Sequence, residues 1–402
     1  MIVGGGVAGF TAARGLRELD ADIGIEIYTR EPYLYYYRPR LPDVVSGEVE
    51  PEEIVAFQAE WYESRRIDVR LEEPVVSVDP AEHRISLEGG RGVDYDSLLI
   101  ASGADPFVPP IDGSDREGVH VLRTVDDALA IRARAADSDQ AVVVGGGLLG
   151  LEAGRGLQRA GLSVTVLEGA DWLMPRQLDS EAASILRNDI EKLGITVLTG
   201  VKVEAIEGEG EVSGVRLADG TVFPCEITLI STGVRSALGF LEGSGLTTER
   251  GVVVDPSMRT SAEGVFAAGD VAQLSGMNGG NIPVAIAQAD AAAVGLSGEK
   301  EGARAKAVSY NTLKIVGIDV FSAGETSCDD GDCSEHVYED EDEGIYRKVI
   351  TREGVLAGAM VVGSRRGVRE LNGLVQSRAD VGKWEDAIAR EDFDFESMEV
   401  SS

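Results

Sequence analysis

Three cysteines in 402 residues, an odd number, exclude a disulfide framework and make the cytoplasm the expected compartment. No stretch of about 18 uninterrupted apolar residues exists to span a membrane. A strand that starts at Met1 leaves no room for a signal peptide, so secretion is not expected. Positive charge is also in short supply. Lys and Arg total 37 against 70 Asp and Glu, a net charge of −33. That balance argues against nucleic acid and anionic membrane surfaces as partners. Most of the positive charge is arginine, and no lysine precedes Lys192. Abundant carboxylates with scarce lysine fit either an intracellular life at high salt or an acidic enzyme from a GC-rich genome.

Glycine is plentiful, at 50 residues, and 43% of the chain is apolar, enough to build the cores of two or three domains. Two glycine runs stand out. Gly4-Gly5-Gly6-Val7-Ala8-Gly9 and Gly145-Gly146-Gly147-Leu148-Leu149-Gly150 each fit G-x-G-x-x-G. Such a motif needs a tight turn at its first glycine, close pyrophosphate approach at its second and close helix–strand packing at its third. The phosphates then rest on free N–H groups at a helix N-terminus. Met1-Ile2-Val3 and Ala141–Val144 supply the preceding strands, and Phe10–Leu19 and Leu151–Ala160 the following amphipathic helices. Small residues Ala13 and Gly154 fall four past each third glycine, where the helix must lie flat on its sheet. The site residues expected from these motifs are Gly4, Gly6 and Gly9, then Gly145, Gly147 and Gly150. Two cradles imply two dinucleotides, with electrons passing between them.

Short β-rich runs alternate with helical ones, the pattern of an α/β protein with parallel sheets. The expected fold is two Rossmann-like domains, one inserted in the other, plus a small C-terminal α+β domain. Residues 1–110 and 235–304 form the discontinuous first domain, 111–234 the insert and 305–402 the third. Expected strands include Val69–Val78, Ile85–Leu87 and Asp96–Ala101 in the first domain, and Ser163–Leu167, Thr196–Leu198 and Ile227–Ser231 in the second. A hairpin is expected between Val212–Leu217 and Val222–Pro224, turned at Asp219-Gly220. Val252–Val254 and Gly264–Ala268 follow as strands, and a helix from about Val284 to Leu296 is entered through Ile282-Pro283. Tyr310–Ala323 and Ile345–Val362 alternate like antiparallel strands around an acidic loop, and the acidic end, Trp384–Ser402, is expected to fray.

A Rossmann unit places an acidic residue at the end of its second strand, about 20 residues beyond the first glycine, to bind ribose hydroxyls. Glu168 is that residue in the second unit. A carboxylate repels a 2′-phosphate and no arginine follows at once, so the unit reads as an NADH site. In the first unit Thr29 stands where the acid belongs, and Glu31, two residues later, is the substitute.

Thr260-Ser261 and Gly264-Val265-Phe266-Ala267-Ala268-Gly269-Asp270, with the two glycine units, resemble the FAD- and NAD-dependent pyridine-nucleotide oxidoreductases. The resemblance implies that Asp270, next to Gly269, holds the ribityl chain of FAD in the first domain. Ser102-Gly103 and Thr232-Gly233 are similar to the family's crossover points. Tyr36-Tyr37-Arg38-Pro39-Arg40-Leu41-Pro42 and Thr312–Glu325 resemble segments of NADH:rubredoxin reductases and of the flavin part of assimilatory NADH–nitrite reductase. On this resemblance Glu152 lies beside the nicotinamide as the catalytic carboxylate. The helix beginning near Val284 offers its N-terminus to the flavin. Arg38 contacts the FAD phosphates or ribityl chain.

Disulfide reductases of this superfamily need a cysteine pair beside the flavin, and residues 29–50 contain none. Nor do His83, His120 and His336 make a C-terminal His–Glu pair. The expected activity is electron transfer from NADH through FAD to an outside acceptor: a rubredoxin-like carrier, another small iron protein or a partner reductase subunit. The alternatives are an NADH oxidase reducing oxygen and a redox-sensing protein that binds FAD and NADH without turnover. A homodimer is open to it. No metal is expected at the active site. Cys328, Cys333 and His336 admit a soft-metal site, a labile disulfide or plain thiols, and Cys225 belongs to a core.

Overall fold

The computed structural model describes residues 1–298, 310–315, 317–328, 331–340, 342–385, 387–388 and 390–395. They fall into two compact units. The first takes Met1–Arg40, Glu50–Asp105 and the chain from Val234 through the helix ending at Leu296. Its centre is a five-stranded parallel sheet in the order Val265–Ala267, Leu98–Ile100, Ile2–Val3, Ile25–Tyr28, Ile67–Arg70. The inner strands are runs of Val, Ile and Leu because both faces of a parallel sheet are covered. Helix Val7–Leu19 packs on helix Ile282–Leu296, where a Cβ on Gly15 would stand only 3.3 Å from Ala293 Cβ.

The second unit holds Leu41–Val49, Pro106–Gly233 and the chain from Tyr310 onward. A second parallel sheet runs Thr196–Leu198, Ser163–Leu167, Gln140–Val144, Ile227–Ile230, Val119–His120. The expected hairpin is present as Gly214–Leu217 against Val222–Pro224, with Val203–Glu207 as an unforeseen third strand. The C-terminal sheet is antiparallel throughout, in the order Tyr310–Ile315, Ile318–Gly324, Val355–Val362, Ile345–Arg352, Ser334–Asp340. Helix Val368–Ser377 covers it through Leu371, Leu374 and Val375.

Three expectations need correction. Val69–Val78 is not one strand: Ile67–Arg70 ends in the parallel sheet and Val75–Asp79 opens an antiparallel one. Glu72, at φ +53°, and Pro74 turn the chain between them. The acidic stretch before Ile345 is not all loop, because Ser334–Asp340 pairs along its length with Ile345–Arg352 as an edge strand. In the acidic C-terminal stretch, Ile388, Phe393 and Phe395 are buried in the last core rather than frayed; residues 396–402 lie outside the described residues.

Cys328 and Cys333 form a disulfide, with Cα atoms 5.8 Å apart. His336 Nε2 meets Thr351 Oγ1 at 3.3 Å, and Cys225 is a free, buried thiol as expected. Within the second unit, Asp179 caps helix Ser180–Lys192 by accepting from Ala182 N (3.0 Å). Its other oxygen accepts from Tyr346 Oη (2.8 Å) and Lys348 Nζ (3.1 Å). Lys348 is buried and also reaches Glu335 (2.8 Å).

Candidate functional site

Each parallel sheet carries a glycine cradle at the C-terminal end of its first strand, beside the strand on its other flank, where the order reverses. Ligands of open α/β sheets bind at such a switch point. Gly4 adopts φ +113° and Gly145 φ +117°. A Cβ on Gly4 would lie 2.2 Å from Ala101 O, and one on Gly145 2.2 Å from Ser231 O. Both amides donate to the end of the second strand at 2.8 Å, Gly4 N to Tyr28 O and Gly145 N to Leu167 O. The third glycines are as tightly placed: a Cβ on Gly9 would sit 2.0 Å from Gly4 O, and one on Gly150 2.1 Å from Gly145 O.

The middle glycines behave differently. A Cβ on Gly6 or Gly147 meets nothing within 4 Å. These residues are the N-caps of helices Val7–Leu19 and Leu148–Arg159, and neither offers a side chain to the first-turn amides. Open space over a helix N-terminus without a side-chain cap is what a bound pyrophosphate requires. The helices begin three residues earlier than their amphipathic pattern shows, because the glycine turns themselves carry their first turns.

Glu168 follows strand Ser163–Leu167 and folds back over the second cradle. Its Oε2 accepts from Gly146 N (2.6 Å) and its Oε1 from Ala170 N (2.7 Å). Thr29 occupies the matching place in the first cradle: a Cβ on Gly5 would meet Thr29 Cβ at 3.3 Å, as one on Gly146 would meet Glu168 Cβ at 3.0 Å.

Glu31 lies beside Thr29 in a hollow lined by Gly5, Gly6, Thr29, Tyr33, Tyr36 and Arg38. Its Oε2 accepts from Tyr36 Oη (2.5 Å) and its Oε1 from Arg38 Nη2 (2.6 Å). Burial works against the Arg38 charge, yet Tyr36, Glu31 and Asp270 together hold its guanidinium protonated beyond the ordinary arginine range. The first cradle is thus bordered by a fixed cation, suited to phosphate oxygens.

Gly269 and Asp270 follow strand Val265–Ala267 in the same unit. Gly269 has φ +83°, and a Cβ there would stand 3.0 Å from Ala8 Cβ, against the helix of the first cradle. Asp270 Oδ1 accepts from Gly280 N at 3.2 Å. Helix Ile282–Leu296 is capped by Asn281, whose Oδ1 takes the Val284 N–H (2.9 Å). Gly103, at φ +72°, follows Ser102, whose Oγ donates to Ala237 O (3.3 Å).

Glu152 lies on helix Leu148–Arg159 and lines a surface hollow with Arg155, Arg159 and Gly317, all within the second unit. Arg155 and Arg159 share its helix face by spacing. The sequence reading missed both, and it missed Tyr33, Ser236 and Gln288. The spacing of Glu152, Arg155 and Arg159 was a signal for the first pair, and a lone amide in an apolar helix was one for Gln288.

Comparison with known proteins agrees with this geometry. The family model for pyridine nucleotide-disulphide oxidoreductases matches residues 1–292. That for the rubredoxin NAD+ reductase C-terminal domain matches residues 310–379. The chain is 33% identical over 384 residues to a nitrite reductase [NAD(P)H] of Bacillus subtilis (strain 168), covering 95% of this chain and 48% of that protein. It is 34% identical to the NADH-dependent phenylglyoxylate dehydrogenase subunit epsilon of Aromatoleum evansii, covering 89% of this chain and 86% of that one. Among solved structures, a ferredoxin reductase from Rhodopseudomonas palustris superposes with a TM-score of 0.89 at 25% identity, covering 98% of each chain. The chain spans about half the length of the nitrite reductase and of the assimilatory nitrate reductase electron transfer subunit that it also matches.

Proposed function

The chain belongs to the pyridine nucleotide-disulphide oxidoreductases, and from that membership we propose that it oxidises NADH and passes the electrons to a small electron-carrier protein or a partner reductase subunit. Gly4, Gly6, Gly9, Arg38 and Asp270 would hold FAD in the first cradle, where the bound group would supply hydride acceptance from nicotinamide and electron release toward the acceptor. The observation that carries the reading is the pair of matched cradles, one closed by the Glu31–Arg38 pair and one by Glu168 alone.

The chain's own residues divide the work. Gly4, Gly6 and Gly9 admit the FAD pyrophosphate to the helix N-terminus, and Arg38 neutralises it. Asp270 accepts a hydrogen bond from a ribityl hydroxyl. The N-terminal end of helix Ile282–Leu296 stabilises negative charge on the flavin ring. Gly145, Gly147 and Gly150 seat the NADH pyrophosphate, Glu168 takes the ribose hydroxyls and excludes a 2′-phosphate, and Glu152 borders the nicotinamide. FAD thus belongs to residues 1–110 with 235–304, NADH to 111–234, and residues 305–402 form the C-terminal domain toward the acceptor.

Residues 29–50, which carry the Glu31–Arg38 side of the first cradle, hold no cysteine for disulfide reduction. The C-terminal match and the assimilatory nitrate reductase electron transfer subunit named above support an electron-delivering role. No helix among the described residues is long and apolar enough to cross a membrane. A cytoplasmic location and a two-fold dimer belong to the same proposal.

Anaerobic mixing with NADH should bleach the yellow flavin, and adding rubredoxin or ferredoxin should restore it at a catalytic rate. A flavin-loaded protein that stays yellow under NADH overturns the reading. Turnover with oxygen as fast as with any carrier replaces it by an NADH oxidase.

A further inference from the structure

Helix Ile282–Leu296 is almost wholly apolar, and its buried face is Val284, Ala285, Ala289, Ala291, Ala292 and Ala293, with one exception. Gln288 is 3% exposed among them. Burying a carboxamide costs free energy unless it is hydrogen-bonded. Its Oε1 accepts from the backbone N–H of Gly269 at 2.8 Å. That amide precedes Asp270 directly.

The Gly269-Asp270 segment is held on every side. Gly269 O accepts from Ala272 N (2.9 Å). Asp270 O accepts from Ser236 Oγ (2.6 Å), and Ser236 Oγ in turn accepts from Asn278 Nδ2 (2.9 Å). Asp270 Oδ1 accepts from Gly280 N. Gly269 itself needs its positive φ and leaves no room for a side chain against Ala8. Two of these clamps are side chains reaching in from other elements, Gln288 from the helix and Ser236 from strand Val234–Ser236.

We infer that Gln288 is a positioning residue: its carboxamide oxygen fixes the Gly269 peptide so that the Asp270 carboxylate is presented to the ribityl chain of FAD. The inference rests on the reading of the first cradle as the FAD site. Removing the acceptor leaves the Gly269 N–H buried without a partner, and the peptide regains the freedom to rotate. The flavin then loses a preorganised acceptor without losing any residue that touches it.

Stripped protein should be reloaded with FAD, following flavin fluorescence for affinity, the midpoint potential of the bound flavin, and NADH binding at the second cradle. Gln288→Leu should weaken FAD about tenfold, shift the potential and leave NADH affinity unchanged. Gln288→Glu keeps an acceptor for Gly269 and should return FAD affinity to within about threefold of the parent. Ser236→Ala, at the other clamp, should weaken FAD about threefold. The inference is overturned if the Leu variant binds FAD with parental affinity and potential. It is overturned equally if the Leu and Glu variants lose FAD to the same extent, which would mark Gln288 as a packing residue only. A parent protein that takes up no flavin overturns the FAD reading itself, a result distinct from either of these.

Discussion

The two cradles share a skeleton and differ in their electrostatics. Their first glycines have φ values of +113° and +117°, and their third glycines approach the first glycine's carbonyl equally closely. Beyond the second strand they part. The second places Glu168, with both oxygens on backbone amides. The first places Thr29 there and moves its acid to Glu31, which is tied to Arg38 and Tyr36. In the proposed reading, the carboxylate held by amides faces the ribose, where it would repel a 2′-phosphate. One spent on an arginine serves to aim that cation. In that reading backbone geometry makes a dinucleotide site, and the residues after the second strand select the dinucleotide.

The most drastic way to break the likeness is to fill one turn at a time. Gly9→Ala should abolish flavin retention, and Gly150→Ala should abolish NADH binding, each by about 100-fold or more, while the other cradle keeps its ligand. Flavin content after purification and NADH titration check this; loss of both ligands in either variant would mean the cradles are not independent. Next in size, Arg38→Leu should raise the FAD dissociation constant about 30-fold, because it removes the cation bordering the first cradle and breaks the Glu31 ion pair. NADH affinity should not follow.

Glu168→Ala should weaken NADH about tenfold and narrow the preference over NADPH by a similar factor, measured as a ratio of kcat/KM values. Unchanged discrimination would assign the ribose contact elsewhere. The smallest effect is a pH dependence confined to the second sheet. Its edge strand carries His120, whose pKa is lowered by burial and then by Arg134, while no strand of the first parallel sheet holds a histidine. A lowered folded pKa means the unfolded chain binds the proton first. Stability from His120 is therefore present above the ordinary imidazole value of 6.5 and is lost as pH falls below it. Melting curves should shift downward from pH 7 to 5.5, and His120→Gln should flatten that slope.

Local constraints were the legible ones. The glycine turns showed because each needs a positive φ or a close approach that no other residue tolerates. Glu168 showed at the end of the second strand, about 20 residues beyond the first glycine, and Thr29 by aligning Ile23–Tyr28 with that strand. The Glu31–Arg38–Tyr36 cluster was seen only as separate candidates, since pairing across the irregular stretch 32–37 depends on side-chain direction rather than spacing. Ser334–Asp340 was read as loop because Asp and Glu disfavour strands, yet its non-local pairing with Ile345–Arg352 overrides that preference at an exposed edge. Phe393 and Phe395 were hidden among carboxylates, and two aromatic side chains were enough to anchor a stretch whose average composition suggested none.

Asp179 has a consequence for how the second unit opens. One oxygen starts the helix Ser180–Lys192 and the other grips Tyr346 and Lys348 in the C-terminal sheet. Fraying that helix takes one of two carboxylate partners from the buried Lys348 ammonium, and peeling off the sheet frees the Asp179 side chain that caps the helix. Amide exchange should therefore register the two as a single cooperative block, although about 150 residues of chain separate them.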